Sequence, residues 1–538
     1  KKSTGESIIG FRFSGQYQSQ LDDDPAATPV FRVRDDVLAE LIENPIITLR
    51  GSSIPAGEFL RNEDVERFSF RQNEERTSLN LTGKIDIRIT NNIDMTFSGG
   101  YVDTRNRFTP ASSWRLLNTQ NNPYSDTERI RGNVRFRHRL GRGPVEGEEN
   151  KSVIRNASYI LQFGYEKYNF LRQDHRHEDR FFDYGYVGQF DYEWIPVAGQ
   201  VDPELELPFN IGHVGYLQSF QGYTPGDINP GLANYNNNVD QASDVDFIAR
   251  NGFTSSTFSN VWQLHTNVNT VYNRYDKRDN DIYTFTASST FDLAPGGSDK
   301  GVHNISFGLF YEQRFNRGYG IRPRALWNVA RLQANDRHIN GVNTDDVIGM
   351  FDSGIPIVGE VPLYATRVDD LEGLLFYKRV REVTGDALGD FVNVDGLSPD
   401  QLSLDMFSAG ELNDAWSQVR LGYWGFDYLG NKLSDDVGFD DFFTAEANGV
   451  RTFPVAAQKP IYSAAYIQDK FTFRDIIFRV GLRVDRYDAN TKVLKDPYSL
   501  YEIQTASEFF SQQGGEKPGS IGDDFKVYVE SESSNTVK

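Results

Sequence analysis

Cysteine is absent from all 538 residues. That excludes a disulfide framework, a zinc–thiolate site and a cysteine nucleophile, and it raises no objection to an oxidising compartment. No run of 18 or more apolar residues occurs, so no transmembrane helix is expected. An excess of base is missing too: 56 Lys and Arg stand against 76 Asp and Glu, a formal charge of −20. A general nucleic-acid binder would show a basic footprint, so nucleic acid is not an expected partner. No GxSxG, P-loop, HExxH or paired-carboxylate signature is present, and no enzymatic activity is expected. No signal peptide is readable at Lys1-Lys2-Ser3. The chain is therefore read as cytoplasmic, already processed or not the whole gene product.

What the chain has is aromatics and alternation. Phe, Tyr and Trp number 39, 27 and 6, and mean hydropathy is −0.54. That value is too polar for a helical membrane protein but not for a barrel whose alternate residues face a polar lumen. Residues 461–487 carry the pattern best. Ile476, Phe478, Val480, Leu482 and Val484 alternate with Ile477, Arg479, Gly481, Arg483 and Asp485, after a tight turn at Arg474-Asp475. Before the turn, Ile461, Ala465, Ile467, Phe471 and Phe473 oppose Tyr462, Tyr466, Gln468, Lys470 and Thr472, with Ser463 and Asp469 interrupting the apolar side. A period of two is a strand signal. Each strand of about 10–12 residues matches the reach of a tilted strand across a bilayer core.

The same pattern recurs upstream. Ile9, Phe11, Phe13, Gly15 and Tyr17 share one face; Leu79 to Ile89 and Ile93 to Tyr101 form a hairpin around Thr90-Asn91-Asn92. Strands also start near Ile130, Ser152, Phe182, Ile282 and Val302. Up-and-down order demands one more strand between Trp194 and Ile282, for which residues 210–222 and 261–273 are weak candidates. The expected total is about eleven. Connections alternate between short (residues 90–92, 141–151, 293–301, 474–475) and long (19–76, 103–128, 316–460, 489 onward). That asymmetry belongs to an outer-membrane barrel, whose periplasmic turns are short and extracellular loops long. In that orientation Tyr17, Tyr101, Tyr165 and Tyr311 all fall near the upper end, where an aromatic girdle belongs. Ordinary enrichment of tyrosine in strands is the competing explanation. The fold class expected is all-β, an antiparallel transmembrane β-barrel, with residues 316–460 a large extracellular loop region.

Tyr466-Ile467-Gln468-Asp469-Lys470 followed by Val480-Gly481-Leu482-Arg483-Val484-Asp485 resembles the recurring Y-x-Q-D and G-x-R-x-D strands of TonB-dependent outer-membrane receptors, the large Bacteroidetes type above all. Phe426-Asp427-Tyr428-Leu429-Gly430 and Asp496-Pro497-Tyr498-Ser499 are similar to loop segments of that group. The resemblance implies a 22-stranded barrel filled by a plug, coupled through a TonB box to an inner-membrane motor, and importing a siderophore, glycan, peptide or other scarce or bulky nutrient. It implies residence in the outer membrane of a Gram-negative bacterium. The implied partners are outer-membrane lipid, the TonB complex, an unknown small ligand and a possible surface lipoprotein. No plug-like sequence or TonB box precedes Ile8, so residues 1–538 read as a segment of one barrel domain without its plug. A non-transporting barrel or secretion-associated surface scaffold is the alternative function; a soluble β-rich protein is a third.

Four groups of residues are candidate sites. Arg129, Arg131, Arg135, Arg137 and Arg139 alternate toward the expected lumen. They would attract an anionic ligand, touch acidic plug residues or pair with carboxylates of neighbouring strands. Tyr423, Trp424, Phe426 and Tyr428 lie in the longest loop, where they would stack on a ligand or form the loop's own small core. Asp435, Asp436, Asp440 and Asp441, with Asp22, Asp23 and Asp24, are weak calcium candidates without an EF-hand pattern. His175, His177 and Glu178 are metal-capable, but a lone H-x-H fits an exposed charged loop as well. No catalytic or cofactor-binding residue is expected.

Overall fold

The structure, a computed structural model, describes residues 7–50, 52–140, 153–237, 249–252, 264–295, 301–368, 374–413, 418–499, 502–513 and 515–528. The chain is mostly strand, 48% against 16% helix, and no described helix is long and apolar enough to cross a membrane. It divides into two compact units, Lys1–Ala489 and Asn490–Lys538.

Nine long strands of the first unit form one antiparallel up-and-down sheet. They are β1 (Ile9–Gln20), β2 (Arg76–Arg88), β3 (Ile93–Arg107), β4 (Tyr124–Leu140), β5 (Ile154–Gln173), β6 (Tyr275–Leu293), β7 (Val302–Ile321), β8 (Ile461–Phe473) and β9 (Ile476–Asp488). Each pairs with the next. Among the described residues β1 and β9 do not pair with each other, so closure into a barrel is not found. A short strand, Gly422–Trp424, pairs with the end of β7 that β8 leaves free.

Two-fold alternation makes the sheet two-faced. Phe11, Phe13, Val480 and Leu482 are 67–75% exposed on one side. The register carries that apolar face across the sheet, as in the row Phe11–Ile85–Phe97–Val134–Phe163–Phe285. Beside it Gly83, Gly99 and Gly132 form a side-chain-free row, and a Cβ at Gly83 would sit 3.0 Å from the Phe13 ring that covers it. The other face carries the polar residues. At the short-turn end Thr90 Oγ1 accepts from the Asn92 and Ile93 amides at 3.2 and 3.1 Å. Arg474 takes a φ of 51°, the left-handed conformation that a two-residue hairpin turn requires. The turn expected at residues 141–151 lies outside the described residues, as does part of that at 293–301.

The four expected tyrosines are staggered. The row Tyr17–Leu79–Asp103–Glu128–Asn169–Asp279–Arg317 crosses seven strands. Measured toward the short turns, Tyr101 lies two residues below that row on β3, Tyr165 four below on β5, and Tyr311 six below on β7.

The eleven-strand expectation is corrected to nine. Residues 182–194 alternate well but form no strand of the sheet. Instead Gly188–Gln200 pairs with Ile211–Pro225 in a separate hairpin, while β5 and β6 pair directly from Arg172↔Asp276 to Ile154↔Leu293. No slot remains between them. The aromatic side of that segment meets a protein core: Phe182, Tyr184, Tyr186 and Phe190 are all buried. The strand demanded between Trp194 and Ile282 is then unnecessary. Residues 210–222 do form a strand, within that hairpin; of residues 261–273, those from 264 on hold no strand and 261–263 lie outside the described residues.

Four long connections, β1 to β2, β3 to β4, β5 to β6 and β7 to β8, leave from one end of the sheet and fold together. One core joins residues of the first three: Val33, Leu38 and Leu41 around the helix Asp35–Glu43, Leu117, and Tyr184, Phe190, Tyr235 and Val268. A second joins the third and fourth to the strand tops: Phe182, Trp327, Phe376 and Phe407 pack with Tyr275, Tyr319 and Ile321. Trp327 Nε1 donates to the Phe182 carbonyl at 2.9 Å. Residues 316–460 are therefore the top of β7 followed by a folded connection. In the second unit Asp496 accepts from Lys526 Nζ at 2.6 Å and Tyr528 Oη at 2.7 Å, and residues Ala506–Gln513 form a helix.

Candidate functional site

The polar face of the sheet carries paired charge. Asp94 on β3 accepts from Arg137 at 2.8 Å and Arg139 at 2.6 Å. Glu166 on β5 lies 3.3 Å from Arg129 and 2.6 Å from Arg131. Arg135 reaches Thr96 at 3.3 Å, and Thr96 in turn donates to Asp86 at 2.6 Å. Glu166 is thus shared by two guanidiniums and Asp94 by three, since Arg88 also lies 3.9 Å from it. Strands about 4.7–4.9 Å apart set Asp94 and Glu166 opposite alternate arginines. Five cations against two touching carboxylates leave the stripe positive. At the short-turn end a cavity of about 290 Å³ opens among Asp86, Arg88, Asp94, Thr96, Arg135, Arg137 and Arg139. Higher on this face Ser14–Thr82 at 2.6 Å and Ser78–Thr104 at 3.1 Å form cross-strand hydroxyl pairs.

The aromatic run of the fourth connection is divided between packing and surface. Phe426 is buried in the second core under Lys277 Nζ, 4.9 Å from the ring centroid. Tyr423 and Tyr428 pack against the same core, and the Tyr423 hydroxyl donates to the Phe453 carbonyl at 2.9 Å. Burial pushes the Tyr423 phenol up to about 12. Trp424 is half-buried on the polar face: a Cβ at Gly318 would lie 2.3 Å from its indole, so glycine there lets the ring rest on β7.

The acidic candidates make other contacts. Asp435 binds Arg317 at 2.9 Å, Asp436 lies 3.4 Å from the Ser434 hydroxyl, and Asp441 accepts from the Gly438 amide at 2.7 Å. Asp440 precedes the short helix Asp441–Thr444. Asp22 accepts from the Asp24 and Arg71 amides at 3.0 and 2.7 Å, and Asp24 pairs with Arg71. His175 stands edge-on to Tyr124, with ring centroids 5.8 Å apart. His177 is buried against Asn229 at 2.9 Å, and burial lowers its pKa. Glu178 has a φ of 51°. Among the described residues no three His, Asp or Glu side chains converge as metal ligands would.

One constellation escaped sequence reasoning. Arg317, 2% exposed, reaches Asp279 at 3.0 Å, Asp281 at 2.6 Å and Asp435 at 2.9 Å. Lys167 adds Asp279 at 2.6 Å, and Tyr165 Oη donates to Asp281 at 2.7 Å. These side chains occupy the apolar face, above Tyr165 and Tyr283. The signal was the sudden charge at apolar-face positions 167, 279, 281 and 317 of three neighbouring strands. It marks where the apolar band stops and the strands enter the connecting layer. Comparison of the chain with family models, with curated proteins and with solved structures gives no match.

Proposed function

We propose that this chain supplies strands of an outer-membrane β-barrel that works as a TonB-dependent active transporter for a scarce or bulky nutrient. The observation that carries this reading is the stagger of the tyrosines within the exposed apolar face. A ring of tyrosines held at one height must drop along the register if the strands tilt. Two residues for every two strands, at about 3.4 Å per residue and about 4.8 Å between strands, correspond to a tilt of about 35°. Membrane barrels tilt their strands by about 35–45°. Between Ile93 and Tyr101 on β3, nine residues at that tilt cover about 22 Å of height, close to the apolar band of such barrels. The tyrosines are then an interfacial girdle, the Arg317 network lies above it, and the connecting layer stands outside. The unpaired edges of β1 and β9 need partner strands, because bare edges are not tolerated in lipid.

In this reading the connecting layer captures the ligand and the polar face lines its route. The energised plug movement that the resemblance implies depends on elements not seen among these residues. Two experiments test the proposal. The full-length protein should fractionate with the outer membrane and require detergent in solution; a monomer stable without detergent overturns the lipid-facing assignment. Deleting its gene should abolish growth on a limiting nutrient, and a protonophore should stop that uptake. Outer-membrane residence with no growth defect would favour the surface scaffold instead.

A further inference from the structure

Where β6 and β7 rise beyond the tyrosines, a cleft of about 310 Å³ opens among Arg274, Asp276, Arg278, Arg322, Arg420 and Trp424, together with Gly318, Gly320 and Gly422. The register places most of these on the polar face: Asp276 opposes Gly320, Arg278 opposes Gly318, and Gly318 opposes Trp424. Its glycines keep it open, since a Cβ at Gly320 would meet Asp276 at 2.7 Å and one at Gly318 the indole at 2.3 Å. The charge is unbalanced. Arg274 pairs with Asp276. Among the described residues Arg278, Arg322 and Arg420 have no carboxylate within ion-pair distance. Besides burial, Arg420 and Arg274 both lower the Arg322 pKa, against the opposing pull of Asp276. The Trp424 Nε1–H is also buried with no acceptor among the described residues. Assembling like charges costs stability unless something satisfies them.

We propose that this cleft is a binding site for a small polyanion carrying two or three oxyanion charges, such as carboxylates or phosphates. Four guanidiniums less one carboxylate set that charge. Planar guanidinium forks suit oxyanions bidentately. The cleft lies on the route named under the transporter reading and rests on it for its meaning, but binding is measured without transport.

Calorimetry on the purified protein in detergent tests the site with two probes, pyrophosphate and benzene-1,3,5-tricarboxylate, and with acetate as a monoanion. Both polyanions should bind, more weakly as salt rises, and acetate at least tenfold more weakly. R322Q combined with R420Q should weaken polyanion binding at least tenfold while raising the melting temperature of the unliganded protein, since the repulsion is gone. R12Q, on the polar face of β1, should bind as the parent does. No binding of either polyanion, or equal binding by the double variant, overturns the proposal. If R12Q weakens binding as much as the double variant does, the attraction is diffuse and the cleft is refuted. Polyanion binding by a protein that supports no uptake would retain the cleft and refute the transporter; uptake by a protein that binds neither probe would do the reverse.

Discussion

The sheet and the connections above it treat the same side chains in opposite ways. On β1 and β9 the large apolar residues stand exposed, whereas Trp327, Phe376, Tyr377 and Phe407 in the connections are wholly buried. In the sheet, polar groups pair with each other across one face, as Asp94 does with Arg137 and Arg139. The connections have two ordinary cores made by expelling water; the sheet has a backbone ladder and an apolar face that finds no cover among the described residues. The difference is what the proposed membrane reading requires of one chain in two solvents, and that reading puts the Arg317 network at the boundary.

The contrast can be broken most forcefully from the connection side. Trp327→Ala removes a buried ring and should cost the connecting layer about 3–5 kcal/mol. Hydrogen exchange should show faster opening of the connections and unchanged protection in β1–β4; equal loosening of both would merge the two regions. At the boundary, Arg317→Ala leaves Asp279, Asp281 and Asp435 short of their shared cation. It should cost about 3 kcal/mol, read as a lower melting temperature, and release Asp435 and its neighbours to exchange first. Within the sheet, Leu482→Arg on the exposed face should cost about 2–3 kcal/mol of membrane stability and deplete the protein from the outer membrane. Gln468→Arg on the polar face should leave its level unchanged, and equal damage from both refutes the assignment of faces. The smallest effect is that of pH. Burial lowers the pKa of His175, His177, His213 and His265, all in the connections. The unfolded chain therefore binds more protons below about pH 6.5. Stability rises with pH through that window and is lost on acidification. Going from pH 7 to 5 should lower the melting temperature of the connecting layer, an effect that His177→Gln should reduce; a melting temperature that rises on acidification would contradict the sign.

Alternation made the nine sheet strands legible, together with their faces and the end from which long connections leave. It failed at residues 182–194 for a physical reason: a period of two reports one apolar face but not whether a core or another phase meets it. The partners of the arginine stripe were not legible because they depend on register between β3, β4 and β5. Even so, pairing with neighbouring carboxylates was one of the readings weighed, and Asp94 and Glu166 fill that role. For the aromatic run, Phe426, Tyr423 and Tyr428 contribute to a core while Trp424 lies on the polar face. The cleft itself could not be read, since its cations come from three segments about 50 and 100 residues apart that meet only through the pairing of β6, β7 and Gly422–Trp424.

The interleaving of the connections bears on how the molecule matures. Asn118 donates to the Thr266 carbonyl 148 residues away, Asn234 to that of Ile42 at 192, and Gln189 to that of Gly396 at 207. Contacts of such separation close late, so hairpins can pair while the connecting layer is still open, and the layer sets only when its last segment arrives. Once set, it acts as a clasp. A protease that nicks one exposed connection should produce two fragments that stay together until denaturant separates them.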